Sequence, residues 1–414
     1  MARDATNDEL GSRIREWIVR TVLTGTGDVS ILAGVCEQLN AAGVSIVRAA
    51  IGADLLDPTY DGAGAFWHRG RGVTYEDFAR KPGSEASTEW LLSPFYRLLE
   101  SGKNQLRRRL DASYQRGEFP LLDTFRDQGV TDYVAFVQRI DESLQLGEFQ
   151  GMVSSWTTDA REGFSDSELD MLEAIVPTLT LAATLRRTHR TACTMITTYL
   201  GHDAALRVLR GNIVRGRADP IRAVIWFSDL VGFTHISDQV GAAGVLALLN
   251  DYAEVQVEAI EANGGHVLKF IGDGLLAIFP DDQEKPARAR ALDAAVEQRR
   301  RIAELNERRR ASELPVTDAH IALHVGELLY GNVGSPRRLD FTVLGPAVNE
   351  TARIEALCRS LEQPVIVSSA FAEAAGDARA RLVSLGRYAM KGVARPQELF
   401  TLDPEGLIPR SPPT

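Results

Sequence analysis

The order of elements along the second half of this chain predicts an α+β protein built on a ferredoxin-like antiparallel sheet. Three observations carry that expectation. The run Ala223-Val224-Ile225-Trp226-Phe227 has the continuous apolar character of a buried strand. Two apolar stretches, 267–270 and 275–279, flank Gly272-Asp273-Gly274 as a hairpin flanks its turn. Helical patterns separate these from each other and from a further strand at 320–325, so the order is strand, helix, hairpin, helix, strand, the βαββαβ core with helices on one face.

The chain has 414 residues, more than one domain ordinarily holds, and an α/β region precedes that core. Its strand-like stretches include Val44–Val47 and Tyr133–Val137. A helix follows over 165–190: Ser165 or Asp166 caps it, Glu168 sits in the first turn, and Leu169, Leu172, Val176 and Leu179 recur at helical spacing. Pro177 is expected to bend it. The connector at 191–219 holds a short helix near 204–209 and ends in Arg215-Gly216-Arg217-Ala218-Asp219-Pro220. Beyond lie the strand at 222–228, a helix at 237–262 ended by Asn263-Gly264-Gly265, the hairpin, a helix at 286–309 and the strand at 320–325. A helix at 348–360 and strands at 364–368, 381–385 and 397–402 extend the core. The expected divisions are therefore 1–165, a helical connector at 166–219, a domain at 220–402 and a flexible tail at 403–414.

An apolar fraction of 44% suits a globular chain, and three scattered cysteines, Cys36, Cys193 and Cys358, read as free thiols in a reducing compartment. The start carries Asp4, Asp8 and Glu9 with no apolar block, and no segment is apolar over a bilayer's thickness; a cytoplasmic protein without a membrane span is expected. A formal charge of -10 argues against nucleic acid as a partner. The clusters Arg107–Arg109 and Arg308–Arg310 are read as solvated faces.

Chemistry is concentrated in the second domain. Asp229 follows the first buried strand and Asp273 sits in the hairpin turn. Either alone is a turn residue; two carboxylates on neighbouring strands form a place for hard divalent cations and a polyphosphate. The segment Leu230 to Thr234, with Gly232, precedes a helix and can offer backbone amides to phosphate. Asn349 and Arg353, four apart, share one helix face. They suit orienting a ribose and placing fixed charge against a phosphoryl group, or else form a polar face with Arg353 paired to Glu350 or Glu355. Lys269, within an apolar strand, needs a partner, and a purine base would supply one.

Taken together, Phe227-Ser228-Asp229-Leu230-Val231-Gly232-Phe233-Thr234, Lys269-Phe270-Ile271-Gly272-Asp273, His324-Val325-Gly326-Glu327, Gly331-Asn332-Val333-Gly334, Val348-Asn349-Glu350-Thr351-Ala352-Arg353 and Lys391-Gly392 resemble the class III nucleotide cyclase domain over about residues 220–402. The resemblance implies two magnesium or manganese ions per site on Asp229 and Asp273, with Leu230 beside them. It implies phosphate contacts at Phe233, Thr234 and Lys391, and Asn349 and Arg353 as the transition-state pair. Base selection falls on Lys269 and Thr342, a combination typical of a subgroup of adenylate cyclases, so ATP is the expected substrate and cyclic AMP with pyrophosphate the products; guanylate or mixed specificity is the alternative. The family's sites form between two domains, which implies a head-to-tail homodimer with two shared sites.

The end of the first domain, Ser154-Ser155-Trp156-Thr157 with Gly163-Phe164-Ser165-Asp166-Ser167-Glu168-Leu169, resembles GAF-type sensory domains. That implies regulation by an unidentified small-molecule effector. Phe66, Trp67, His68, Trp90, Phe95 and Tyr96 either line a pocket for it or are ordinary core and interface aromatics.

Overall fold

The computed structural model describes residues 2–25, 27–79, 88–141, 143, 151–281, 284–390, 393 and 395–403. Lys391 and the tail beyond 403 lie outside the described residues. The chain divides into two compact units, Met1–Met195 and Ile196–Thr414.

In the first unit, α1 (Ala2–Leu23) and α2 (Asp28–Ala41) precede β1 (Arg48–Asp54), β2 (Tyr60–His68) and β3 (Gly72–Ala79). Then come α3 (Thr88–Leu91), α4 (Pro94–Glu100), β4 (Gln105–Arg109), α5 (Pro120–Asp127), β5 (Asp132–Arg139), β6 (Gly151–Thr158) and α6 (Asp166–Leu200). The strands form one antiparallel sheet in the order β3-β2-β1-β6-β5-β4. One face, through Ala49, Ile51, Trp67 and Trp156, buries the apolar stripes of α1, α2 and α6. Val44–Val47 is not a strand; it leads into β1. Alternation along β2 sends Phe66 and Trp67 to opposite faces, which suits core and interface aromatics rather than the lining of one pocket. A cavity of about 220 Å³ opens elsewhere, among Ile51, Ala53, Ala65, Tyr75, Ala183 and Arg190.

Ser165 and Glu168 cap α6 reciprocally, the Glu168 amide donating to Ser165 Oγ (3.3 Å) and the Ser165 amide to Glu168 Oε2 (2.8 Å). The helix contains Pro177 and continues to Leu200, ten residues past its expected end. The arginines at 107–109 stand on a strand, and Arg107 pairs with the fully buried Asp132 at 2.7 Å.

The second unit continues through α7 (His202–Leu209), β7 (Ala218–Leu230), α8 (Phe233–Ala262), β8 (His266–Ile271), β9 (Gly274–Pro280), α9 (Ala287–Ala311) and β10 (Ala319–Ser335). It closes with β11 (Arg338–Leu344), α10 (Pro346–Leu361), β12 (Val365–Ser368), α11 (Ser369–Ala374), a 3₁₀ turn (Gly376–Arg381), β13 (Leu382–Tyr388) and β14 (Gln397–Leu402). The sheet order is β13-β14-β12-β10-β7-β9-β8, with β11 paired to β10. Strand residues of one parity, Val224, Trp226, Ala277, Phe279, Ile321 and Leu323, pack on one face with residues of α8, α9 and α11. The opposite face is not bare: residues of α7 cover part of it, and α10 packs on Ala322 and Ile366.

Three departures from expectation position the site. Gly241 (φ +68°, ψ 171°) breaks α8 into two helices, so its first segment starts at Phe233 rather than 237. β10 runs ten residues beyond Val325 and returns as β11, a hairpin the sequence reading left out because Gly331 and Gly334 interrupt it. Both glycines are steric requirements: a Cβ on Gly331 would stand 2.2 Å from Arg217 O, and on Gly334 (φ +138°) 2.3 Å from Arg338 O. Arg309 is not on a solvated face; it is buried, ion-paired with Asp251, and donates to Pro315 O at 2.8 Å.

The connector enters this unit through Gly201 (φ +77°), between α6 and α7. A Cβ there would lie 2.5 Å from the carbonyl oxygen of Val267 in β8. Only glycine lets the backbone turn and touch that strand at once.

Candidate active site

Asp229 is the penultimate residue of β7, and β7 is central because both its neighbours are long antiparallel partners. The Ser228 hydroxyl on that strand donates to Gln256 Oε1 of α8 at 2.7 Å within the core. Past the strand end, Val231 N donates to Asp318 O (2.8 Å) and Thr317 Oγ1 to Val231 O (2.6 Å). The chain leaving Asp229 is thereby fixed on both sides.

Asp273 is brought to it by the β8–β9 turn. Gly272 has φ +65°, the sign a two-residue hairpin requires, and Ile271 pairs with Gly274 across the turn. A Cβ on Gly274 would lie 2.7 Å from Ser228 O and 3.1 Å from Asp229 Oδ1. The absence of a side chain at 274 is therefore what lets the turn close on the end of β7.

The two carboxyl groups meet. Burial, then the Asp273 charge and a hydrogen bond with Asp273, push the Asp229 carboxyl up to about 6. Among the described residues neither aspartate has an ion-pair partner. Two carboxylates brought together with no basic side chain paired to either fit a divalent metal site. Among the described residues no three His, Cys, Asp or Glu side chains converge on a metal position, so further oxygens would have to come from backbone, water or a ligand.

A third acid, expected from the sequence only as an alternative partner for Arg353, faces them. Glu355 of α10 is pushed up to about 7, chiefly by burial and then by Asp229 and Asp273. Its Oε1 lies 3.9 Å from Nδ1 of His320, the residue opposite Asp229 in the β7–β10 register. Nothing in the local sequence marks Glu355, since a lone acid on a helix is ordinarily solvated.

Phe233 and Thr234 begin α8 behind Gly232, whose φ is +67°. A helix start leaves amides without intrahelical acceptors and carries the positive end of the dipole. The Val231 amide is not among the available donors, because Asp318 O takes it. Leu230 is buried at the end of β7.

Lys269 and Thr342 stand on different strands. A bulge between Val267 and Lys269 breaks the alternation of β8 and sets Lys269 opposite Leu276 of β9; on β11, Phe341 and Val343 join one apolar cluster and alternation turns Thr342 away from it. The partner Lys269 needs is within the chain: its Nζ lies 2.6 Å from Asp340 Oδ2. Asn349 and Arg353 are exposed on α10. Arg353 pairs with neither Glu350 nor Glu355: among the described residues it makes no ion pair, and Glu350 Oε1 accepts from Gln397 Nε2 at 2.6 Å. Glu355 is two residues, about 200°, further round the same helix.

Residues 218–403 match the family model described as the adenylate and guanylate cyclase catalytic domain. That segment belongs to the cyclase family. An adenylate cyclase of Anabaena cylindrica is 32% identical over 161 residues, 38% of this chain and 31% of that protein. An uncharacterized protein of Mycobacterium tuberculosis is 33% identical over 204 residues, 49% of this chain and 35% of that one. The matched segment thus spans about a third of the length of these curated relatives. Among solved structures, a bacterial light-regulated adenylyl cyclase superposes with a TM-score of 0.40 at 27% identity, covering 45% of this chain and 91% of that one. The guanylyl cyclase Cya2 gives 0.40 at 30%, covering 45% and 93%. Among the described residues no helix is long and apolar enough to cross a membrane.

Proposed function

We propose that the chain is an adenylate cyclase, converting ATP to 3′,5′-cyclic AMP and pyrophosphate. The observation that carries this reading is the meeting of Asp229 and Asp273 beside a helix start, within a domain of the cyclase family. Magnesium or manganese, two ions per site, fits these carboxylates; when bound, the ions supply Lewis acidity and a more acidic 3′-hydroxyl.

The chain's own groups do the rest. Asp229 and Asp273, with Leu230 at the strand end, hold the metals, and the first turn of α8 at Phe233 and Thr234 receives the terminal phosphates. Lys391 is assigned to the triphosphate as well. Lys269 donates to the purine, and the Thr342 hydroxyl accepts from the adenine amino group. Asn349 orients the ribose, and Arg353 sets a fixed positive charge where negative charge builds on the phosphate. The bond from the 3′ oxygen to the α phosphorus forms as the bond from that phosphorus to the bridging oxygen breaks. The electron pair leaves on pyrophosphate, and the hydroxyl proton passes to solvent.

The site is read as shared between two copies in a head-to-tail homodimer. Support comes from α10, which turns Glu355 toward its own aspartates and leaves Asn349 and Arg353 exposed. The first unit is proposed to be a GAF-like regulatory domain for an unidentified small molecule, acting through α6. Purified protein given ATP and Mn²⁺, with GTP in parallel, tests the enzyme reading: cyclic AMP is expected, lost in Asp229→Ala. No cyclic nucleotide from either substrate, or an unaffected Asp229→Ala, overturns it; cyclic GMP in preference to cyclic AMP overturns the choice of base.

A further inference from the structure

The Lys269–Asp340 contact is the closest ion pair at the site, and nothing in the purine reading above requires Asp340. Thr342 is buried and neutral, so it cannot hold the Lys269 ammonium by charge. Asp340 is two residues earlier on β11 and therefore on the same side. Its strand is held firmly: Asp340 pairs with Val333 and Thr342 with Gly331, beside the two glycines that admit no side chain.

The pair is half in solvent, with side-chain exposures of 33% for Lys269 and 57% for Asp340. An exposed pair of that kind contributes about 0–1 kcal/mol to stability, so folding does not account for it. Geometry does: a lysine on a four-carbon stem loses much rotamer freedom when it is held, and holding it before substrate arrives removes that cost from binding. One of its three N–H donors is taken by Asp340, and two remain for a base.

Resting on the adenylate cyclase reading, we infer that Asp340 is a positioning residue for purine selection. It clamps Lys269 so that the ammonium meets an acceptor edge such as adenine N1. The clamp also occupies the carboxylate, which would otherwise accept from the N–H edge of guanine. Removing it loosens Lys269, weakens ATP and narrows the preference over GTP, without touching the metal carboxylates.

Steady-state kinetics with ATP and GTP on Asp340→Ala and Asp340→Glu test this. Asp340→Ala should raise KM for ATP on the order of tenfold with kcat within about twofold, and cut the ATP-over-GTP ratio of kcat/KM at least about fivefold. Asp340→Glu, which can still reach Lys269, should recover most of both. Thermal melting of the exposed-site variants should stay within about 2 °C of the parent. An active parent whose KM and substrate ratio are unchanged in Asp340→Ala overturns this inference alone, as does a loss confined to kcat. A parent that makes no cyclic nucleotide overturns the reading on which it rests.

Discussion

At Asp229 and Glu355 the protein holds two carboxyl groups whose protons are retained far above the ordinary carboxylate range, to about 6 and about 7. The sign for stability follows directly. The folded state binds these protons more tightly than the unfolded chain, so metal-free stability is greatest below about pH 4 for these groups and is lost as pH rises through 6 and 7. Metal binding has the opposite slope, because the ligating oxygens must be ionised. Glu355→Gln should therefore raise the metal-free melting temperature at pH 8 by about 2–4 °C, corresponding to about 1–2 kcal/mol, with little effect at pH 4.5. A variant that melts lower at pH 8 than the parent would refute the shared-charge account. Titration of Mn²⁺ by calorimetry should show affinity rising between pH 5.5 and 7.5 as Asp229 ionises.

The elements carrying these residues differ in how plainly the sequence announces them. Asp229 and Asp273 were legible because Asp229 ends one apolar run and Asp273 lies between two others, runs that read as neighbouring strands, and Gly272 and Gly274 mark the turn. The same alternation was hidden in β10 and β11, where Gly331 and Gly334 look like loop residues until Arg217 and Arg338 are seen pressed against them. Glu355 and Asp340 gave no signal, since what distinguishes each is a contact made by another strand. Arg309 misled for the same reason: Asp251, which buries its charge, is 58 residues away. The close approach at Gly274 makes its own prediction. Gly274→Ala drives a methyl into Ser228 O and Asp229, so it should cut Mn²⁺ affinity at least about tenfold while far-ultraviolet dichroism is retained. Unchanged Mn²⁺ affinity would show that the turn has room to spare.

For the whole molecule, the division of labour on α10 fixes the experiment. A chain lacking Asp229 and a chain lacking Arg353 should each be nearly inactive as homodimers, yet a mixture should regain activity, because each heterodimer holds one site with both groups intact. With random pairing, half the dimers are heterodimers and each has one working site, so about a quarter of the parent activity is expected. A mixture that stays inactive after heterodimers are shown to form would contradict the shared site.

Gly201 gives the connector a specific destination. A Cβ on it would press on the Val267 carbonyl, two residues before Lys269 on β8, so a push from the end of α6 arrives first at the strand proposed to read the purine rather than at the carboxylates proposed to hold metal. Control exerted by this route would change how well nucleotide is recognised before it changed how fast it reacts: an effector's imprint should appear in KM. Gly201→Ala, which wedges a methyl into that contact, should mimic the imprint permanently, raising KM for ATP severalfold with kcat little altered. An effect on kcat alone would place the input elsewhere.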